Sequence, residues 1–178
     1  MFDVIFLQFL NGLDKGAAYA LIALGLTLVF GTLGVVNFAH GELVMYGMYA
    51  GVIASRNFGI DPLLILTLSF LLLDLVGAAQ YQIVFRHFVG HATLQQLLAA
   101  IGCALVLQMI AQLIFGADAR TATSAFTGQY IVFGPFFLSQ AQIVAFSVAV
   151  AATLGVELML RLTTWGKTVR AVADDLEA

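Results

Sequence analysis

The sequence predicts an all-α fold: a polytopic transmembrane helical bundle of about five spans, with the N-terminus outside. Of the 178 residues, 62% are hydrophobic and only 10% are charged, whereas a soluble domain carries about 25% charged residues. The charges are also clustered, because none occurs in 16–41, 87–117 or 121–156. Each of these stretches is longer than the roughly 20 apolar residues that a helix needs to cross a bilayer.

This composition excludes a soluble enzyme, a disordered chain and a nucleic-acid binder. A net charge of -3 provides no basic patch for phosphates. Gly166-Lys167-Thr168 lacks the earlier glycine and the strand of a phosphate-binding loop. We therefore predict no enzyme activity. Neither Cys103 nor the pair His87 and His91 has enough neighbouring ligands to predict a metal site.

The apolar stretches divide into five predicted spans, and all of 1–178 is taken as one transmembrane domain. Helices are expected because a bilayer offers no water to unpaired backbone groups. Between the last two spans, short apolar runs flank Gly134-Pro135, which predicts a small hairpin or a re-entrant piece. The predicted spans lie near 6–31, 37–55, 61–84, 94–115 and 141–161.

The orientation follows from the Lys and Arg residues near the ends of the spans, which are enriched on the cytoplasmic side of membrane proteins. Arg86 follows the third span, and Arg161, Lys167 and Arg170 follow the fifth. In a five-span arrangement these four lie on one side, and only Lys15, Arg56 and Arg120 lie on the other. We therefore place the end of the fifth span in the cytoplasm.

The stretch 31–42 is the most informative for function. Gly31 and Gly34 predict the end of the first helix, and Asn37 is a good N-cap for the next one. His40 and Glu42 then lie in the first turns of that helix, where its dipole stabilises a carboxylate. Two interpretations remain open: a tight turn before an ordinary capped helix, or an interrupted helix that meets a substrate.

Further polar residues interrupt the apolar spans. Asp74 stands alone in the third span, so we expect it to face protein, a partner helix or water. Gln108 and Gln112 share one face of the fourth span, and Glu157 and Arg161 have the spacing of a helical ion pair. Gly47 and Gly51 favour close packing of helices within the chain over a dimer interface. The candidate residues of a substrate path are Asn37, His40, Glu42, Asp74 and Gln108.

Several of these segments resemble one known family. Asn11-Gly-Leu, the run 19–31 and Asn37-Phe-Ala-His-Gly-Glu42 resemble the N-terminal part of the branched-chain amino acid ABC transporter permeases, in particular the LivH-type subunit. Ile101-Gly102 and Phe115-Gly116 look like the fourth-span region of that family. The segment from about 164 to 178 looks like the start of its cytoplasmic EAA-type segment.

The resemblance implies a multi-pass permease subunit in the bacterial inner membrane. It would act with a second permease subunit, two ATP-binding subunits and a periplasmic substrate-binding protein, and ATP would be used by the partners, with no cofactor in this chain. The substrates would be branched-chain or other hydrophobic amino acids, with urea or short amides as the alternative. The residues implied to dock on the ATP-binding subunits are Arg170, Asp175, Glu177 and Ala178.

The sequence ends at Ala178, within this docking segment. We therefore expect a chain that is truncated after the N-terminal part of the permease and does not complete a transport path alone. The competing interpretations are a non-transporting fragment or scaffold, and a passive channel formed by oligomers.

Overall fold

The computed structural model describes residues 2–35, 37–133 and 136–174. Helices dominate this part of the chain, which confirms the predicted all-α fold. They are α1 (Phe2–Leu33), α2 (His40–Phe58), α3 (Leu66–Ile83), α4 (Thr93–Phe115), α5 (Gln140–Leu162) and α6 (Thr164–Asp174), with a short 3-10 turn at Phe85–His87 and the strands β1 (Tyr130–Phe133) and β2 (Phe136–Ser139).

Four helical stretches of the described chain are long and apolar enough to cross a membrane. They correspond to the first, third, fourth and fifth predicted spans and cover Val4–Thr32, Leu66–His87, Thr93–Phe115 and Gln140–Leu162. The second predicted span is α2, which has 19 residues and carries Glu42 and Arg56 in its end turns. The polytopic bundle of about five helices is thereby confirmed, with α2 as its least apolar member.

Glycines end two of these helices where the sequence predicts or permits a break. Gly34, directly after α1, and Gly59, directly after α2, both have a φ of 63°, a left-handed conformation that costs glycine little. After α2, the Ile60 N–H donates to the Ala54 carbonyl at 3.0 Å. This bond satisfies one of the last carbonyls of the helix.

The chain forms two compact units, the first of which comprises 1–32 with 126–178. Its strands β1 and β2 pair antiparallel, with Tyr130 opposite Ser139, so the hairpin interpretation of this loop is confirmed. Residues 134–135, between the two strands in sequence, lie outside the described residues. At the C-terminal end of α5, the Thr163 side chain joins this helix to α6. Its Oγ1 accepts a hydrogen bond from the Gly166 N–H at 3.1 Å and donates one to the Met159 carbonyl at 2.6 Å.

The second unit comprises 33–125 and packs α2 against α3 and α4. A Cβ added at Gly47 would lie 3.2 Å from Leu73 Cδ1, and one at Gly51 would lie 3.7 Å from Pro62 Cβ. The small residues therefore allow close packing within the chain, as predicted. The apolar core of this unit contains Val35, Phe85 and Ala100.

Candidate substrate-path site

The segment 34–39 interrupts the helical backbone between α1 and α2, and three of its five described residues are buried. Val35 and Ala39 are 1% and 0% exposed, and Asn37 is 8% exposed. Asn37 Oδ1 accepts a hydrogen bond from the Ala39 N–H at 3.0 Å, and the Asn37 carbonyl accepts one from the His40 N–H at 3.1 Å. This Asx-type turn satisfies backbone donors that the missing helical turn leaves free.

The predicted N-cap at Asn37 is wrong in its position. α2 begins at His40, its N-cap is Ala39, and no side chain caps it. The amide oxygen of Asn37 does take up a free backbone N–H, but it does so in the turn before the helix. The helix starts later than predicted because residues 37–39 form this turn first, with the Asn37 carbonyl accepting from the His40 N–H.

Asn37 and Gln80 form a polar pair within the second unit. Asn37 Nδ2 lies 3.5 Å from Gln80 Oε1, and Gln80 Nε2 lies 3.5 Å from Asn37 Oδ1. Gln80 Nε2 also lies 3.5 Å from Cys103 Sγ on α4, and the Gln80 side chain is buried. The three residues, which we call the amide cluster, join the interrupted segment to α3 and α4.

The cluster satisfies polar groups that would otherwise be costly in an apolar setting. Burying an amide without a hydrogen bond costs about 1–3 kcal/mol on the evidence of mutations in proteins. Within the described residues, no buried side-chain nitrogen or oxygen lacks a hydrogen-bond partner. The interruption is therefore a stable element of the fold with its own set of polar contacts.

His40 and Glu42 follow the amide cluster directly. Both are half-buried in the first turn of α2, where the positive end of the helix dipole favours a carboxylate. One turn later, the Tyr46 hydroxyl donates to the Leu107 carbonyl of α4 at 2.9 Å. The structure thus places His40 and Glu42 in the first turn of α2, as the sequence predicts, and Asn37 in the turn before it.

Asp74 and Gln108 do not join this group. Both are exposed on the outer surfaces of α3 and α4 in the second unit, and Gln112 is exposed on the same face as Gln108. Of the three surroundings expected for Asp74, which are protein, a partner helix and water, the interior of its own unit is not the one it occupies. A shared site of all five candidates is thus not seen in the second unit.

Sequence reasoning missed Gln80, which makes more contacts in the amide cluster than any of the predicted residues. Gln80 stands near the end of a long apolar run, followed by Gln82 and Arg86, so it looks like the polar end of a span. The sequence signal that could have identified Gln80 is a single amide side chain directly after the small residues Gly77, Ala78 and Ala79. Cys103, which the sequence excludes only from a metal site, is half-buried with its sulfur 3.5 Å from Gln80 Nε2.

The predicted docking segment is partly described. Arg170 is exposed on α6 and lines a cavity of about 430 Å³ together with Thr27, Glu157 and Arg161. The predicted ion pair between Glu157 and Arg161 is confirmed. Asp175, Glu177 and Ala178 lie outside the described residues.

Long apolar helices, an interrupted helix start and a buried amide cluster define a multi-pass membrane protein with polar groups buried inside its second unit. Residues 8–178 match the family described as the branched-chain amino acid transport system permease component. The chain belongs to this family. No solved structure gives a significant match.

Individual relatives agree with the family. The chain is 32% identical over 182 residues to the "High-affinity branched-chain amino acid transport system permease protein LivH" of Salmonella typhimurium, covering 96% of this chain and 59% of that protein. It is 33% identical over 183 residues to the permease protein BraD of Pseudomonas aeruginosa, with the same coverage. The probable LivH of Methanocaldococcus jannaschii is 28% identical over 158 residues, which is 85% of this chain and 49% of that protein. The chain therefore spans about three fifths of the length of the first two relatives.

Proposed function

We propose that the chain is a permease subunit of an ABC importer for branched-chain amino acids, and that it forms part of the translocation path. The family match over 8–178 carries this proposal. The printed names of the LivH and BraD relatives support the substrate class. Neither source favours urea or short amides, the alternative that the sequence left open.

The amide cluster suggests how the chain contributes to a path. Interrupted helices in transporters present backbone groups and polar side chains to the solute. Here Asn37 and Gln80 satisfy each other while the path is empty. We propose that a passing solute or its water takes over one of these hydrogen bonds, with His40 and Glu42 lining the approach.

The proposal also assigns roles to the partner subunits. ATP hydrolysis takes place on two ATP-binding subunits, a second permease subunit completes the path, and a periplasmic binding protein delivers the amino acid. No cofactor is proposed for this chain. The amphipathic helix α6 and the residues after it, with Arg170, Asp175, Glu177 and Ala178, form the proposed contact with the ATP-binding subunits.

Reconstitution tests this function. The chain is incorporated into proteoliposomes with the second permease subunit and the ATP-binding subunits, the binding protein is added outside, and ATP is enclosed. We expect uptake of radiolabelled leucine that needs both ATP and the binding protein, and that excess isoleucine or valine inhibits but excess urea or acetamide does not.

Two results would decide against the proposal. Uptake without ATP or without the ATP-binding subunits would favour the passive channel. A complex that assembles and hydrolyses ATP, but transports no leucine, would favour the non-transporting fragment.

A further inference from the structure

A cavity of about 430 Å³ lies within the first unit, where α1 and α5 end beside α6. The two candidate spans of this unit, Val4–Thr32 and Gln140–Leu162, reach it with their last turns, and the end of a span lies near the lipid headgroups. The cavity combines charged and apolar walls. Its charged side chains are Glu157, Arg161 and Arg170, and its apolar ones include Leu28, Leu160 and Val169.

The arginines are the side chains of this cavity that can donate hydrogen bonds to a ligand. Two threonines of α1 also line it, but each hydroxyl proton is used within the helix. Thr27 Oγ1 donates to the Ala23 carbonyl at 2.8 Å, and Thr32 Oγ1 donates to the Leu28 carbonyl at 2.9 Å. The guanidinium groups therefore decide what the cavity binds, and a guanidinium pairs best with a negatively charged acceptor.

Both arginines keep most of their N–H groups free. Arg161 donates from Nε to Glu157 Oε1, and both of its terminal nitrogens have no partner among the described residues. Arg170 makes no hydrogen bond or ion pair with any residue that the structure describes. Two arginines and one glutamate give the described walls one net positive charge. The free nitrogens suit the oxygens of a phosphate, which guanidinium groups bind in a bidentate geometry.

The helix beside this cavity has the features of a helix at a membrane surface. Trp165, at the start of α6, is 75% exposed, and tryptophan is enriched at the interface between bilayer and water. α6 also carries Lys167 and Arg170, and amphipathic helices with basic residues and a tryptophan lie in that interface. The apolar wall of the cavity is then level with the glycerol and the first acyl carbons of the lipids.

We propose that this cavity binds an anionic phospholipid whose phosphate lies between Arg161 and Arg170. The first carbons of its acyl chains lie along Leu28, Leu160 and Val169. Basic cavities between membrane helices are suited to such headgroups, whereas a free phosphate would use the arginines and leave the apolar wall uncovered. The inference goes beyond the proposed function and does not rest on it, because lipid binding is measured on the chain without its partner subunits.

Quenching of Trp165 fluorescence tests the site, because the chain contains one tryptophan. The full chain is placed in vesicles of phosphatidylcholine and phosphatidylglycerol, and one or the other lipid carries bromine on its acyl chains close to the glycerol. We expect the binding constant at the quenching site to favour phosphatidylglycerol about fivefold, since its phosphate is not offset by a headgroup cation. Equal quenching by the two brominated lipids would overturn the inference.

Two variants that break the same ion pair should act in opposite directions. Arg161→Gln should abolish the preference for phosphatidylglycerol, because the charges of Arg170 and Glu157 that remain in the cavity cancel. Glu157→Gln should keep or increase the preference, because it removes the carboxylate and leaves both arginines. The exposed ion pair contributes little to stability, so both chains should fold. A loss of the preference in both variants would indicate a structural effect and overturn the assignment.

Arg86→Gln is the matched control for Arg161→Gln. Arg86 is also exposed and also bonds a side chain one helical turn earlier, because its Nη1 donates to Gln82 Oε1 at 2.9 Å. Its removal changes the charge of the chain by the same amount at a place outside the cavity. We expect the lipid preference to stay as in the unmodified chain, and an equal loss in the two variants would show a general attraction to surface charge.

Inorganic phosphate distinguishes a lipid headgroup from a free anion. It is added to the vesicles and compared with chloride at the same ionic strength, so that screening is equal in both samples. We expect the quenching by brominated phosphatidylglycerol to be the same in both, because the apolar wall holds the lipid but not the free anion. A preference that inorganic phosphate abolishes and chloride does not would overturn the assignment to a lipid.

Discussion

Asn37 and Gln80 pair through both ends of their amide groups, with each nitrogen 3.5 Å from the oxygen of the other. The two residues are separated by 43 positions in the sequence, and the pair joins the interrupted segment before α2 to the end of α3. Both side chains are buried, so each amide depends on the other for part of its hydrogen bonding, beside the Ala39 N–H at Asn37 Oδ1 and the Cys103 sulfur at Gln80 Nε2.

This dependence predicts a non-additive double-mutant cycle. Asn37→Ala and Gln80→Ala should each lower the free energy of unfolding by about 1–3 kcal/mol, because each leaves the other amide buried with fewer partners. The double variant should lose less than the sum of the two single losses. Unfolding by titration with a denaturing detergent measures the free energies.

The control for this cycle is Gln112→Ala, which removes the same group from an exposed position on α4. We expect a change within about 0.5 kcal/mol. Additive losses for Asn37→Ala and Gln80→Ala would contradict the pairing.

The start of α6 depends on the absence of a side chain at Gly166. This residue is buried, and a Cβ added there would overlap the backbone carbonyl of Leu160. Gly166→Ala should therefore displace α6 from the end of α5 and cost about 1–3 kcal/mol. Thermal unfolding of the purified variant measures the loss, and limited proteolysis near 164–170 shows whether α6 has moved.

Gly155→Ala is the matched control, because nothing lies within 4 Å of a Cβ added at Gly155 in α5. That substitution should be neutral or stabilising by up to about 1 kcal/mol, since alanine favours the helix. Equal stability of the Gly155→Ala and Gly166→Ala variants would show that α6 does not approach Leu160 closely.

The close packing of α2 against α3 predicts that a larger side chain at Gly47 destabilises the chain. Gly47→Val should lower the free energy of unfolding by about 1–3 kcal/mol, because its side chain would enter the space of Leu73. Leu73→Ala in the same chain should restore part of the loss by making room. Gly77→Val, which meets no neighbour within 4 Å, serves as the control, and failure of Leu73→Ala to restore stability would contradict the contact.

Asp61, in the loop between α2 and α3, makes hydrogen bonds that we expect to depend on pH. Its carboxylate accepts hydrogen bonds from the backbone N–H groups of Ala125, at 2.6 Å, and Leu63, at 2.9 Å. These bonds lower the pKa of Asp61 below its ordinary value, the bond from Ala125 having the larger effect. Protonation of the carboxylate weakens both bonds, so it loosens the segment before Ala125.

The sign of the pH effect follows from the lowered pKa. Because the folded chain binds this proton more weakly than the unfolded chain, the stabilisation is complete above the ordinary aspartate pKa of about 3.9 and is lost as the pH falls through the lower folded value. Hydrogen exchange of a peptide covering 117–125, corrected for intrinsic rates, should show protection at pH 6 that declines below pH 4. Asp61→Asn should lack this protection at both values, while Asp118→Asn should keep the pH dependence.

The fold was predictable from the sequence because a bilayer leaves few alternatives to long apolar helices. The breaks at Gly34 and Gly59 coincide with backbone conformations that glycine adopts easily, and the hairpin follows from the Gly134-Pro135 signal. The start of α2 was misplaced by three residues because Asn37 can serve as a cap or in a turn, and here it forms a turn with the Ala39 and His40 N–H groups before the helix begins.

The candidate site was predictable only in part. Asn37, His40 and Glu42 are adjacent in sequence, so local structure suffices to group them. Gln80 and Cys103 join them through packing of α3 and α4, and Asp74 and Gln108 stay apart for the same reason.

The most direct test of the proposed path is the water accessibility of the start of α2 during transport. In a Cys103→Ala chain, single cysteines are placed at His40, Glu42 and, as a control, at the exposed apolar Leu105 of α4, and the reconstituted complex is treated with a charged, membrane-impermeant thiol reagent. We expect labelling at positions 40 and 42 that blocks ATP-driven leucine uptake and is slowed by excess leucine, with no labelling at 105. Positions 40 and 42 that stay unlabelled while the complex transports leucine would contradict a path along this segment.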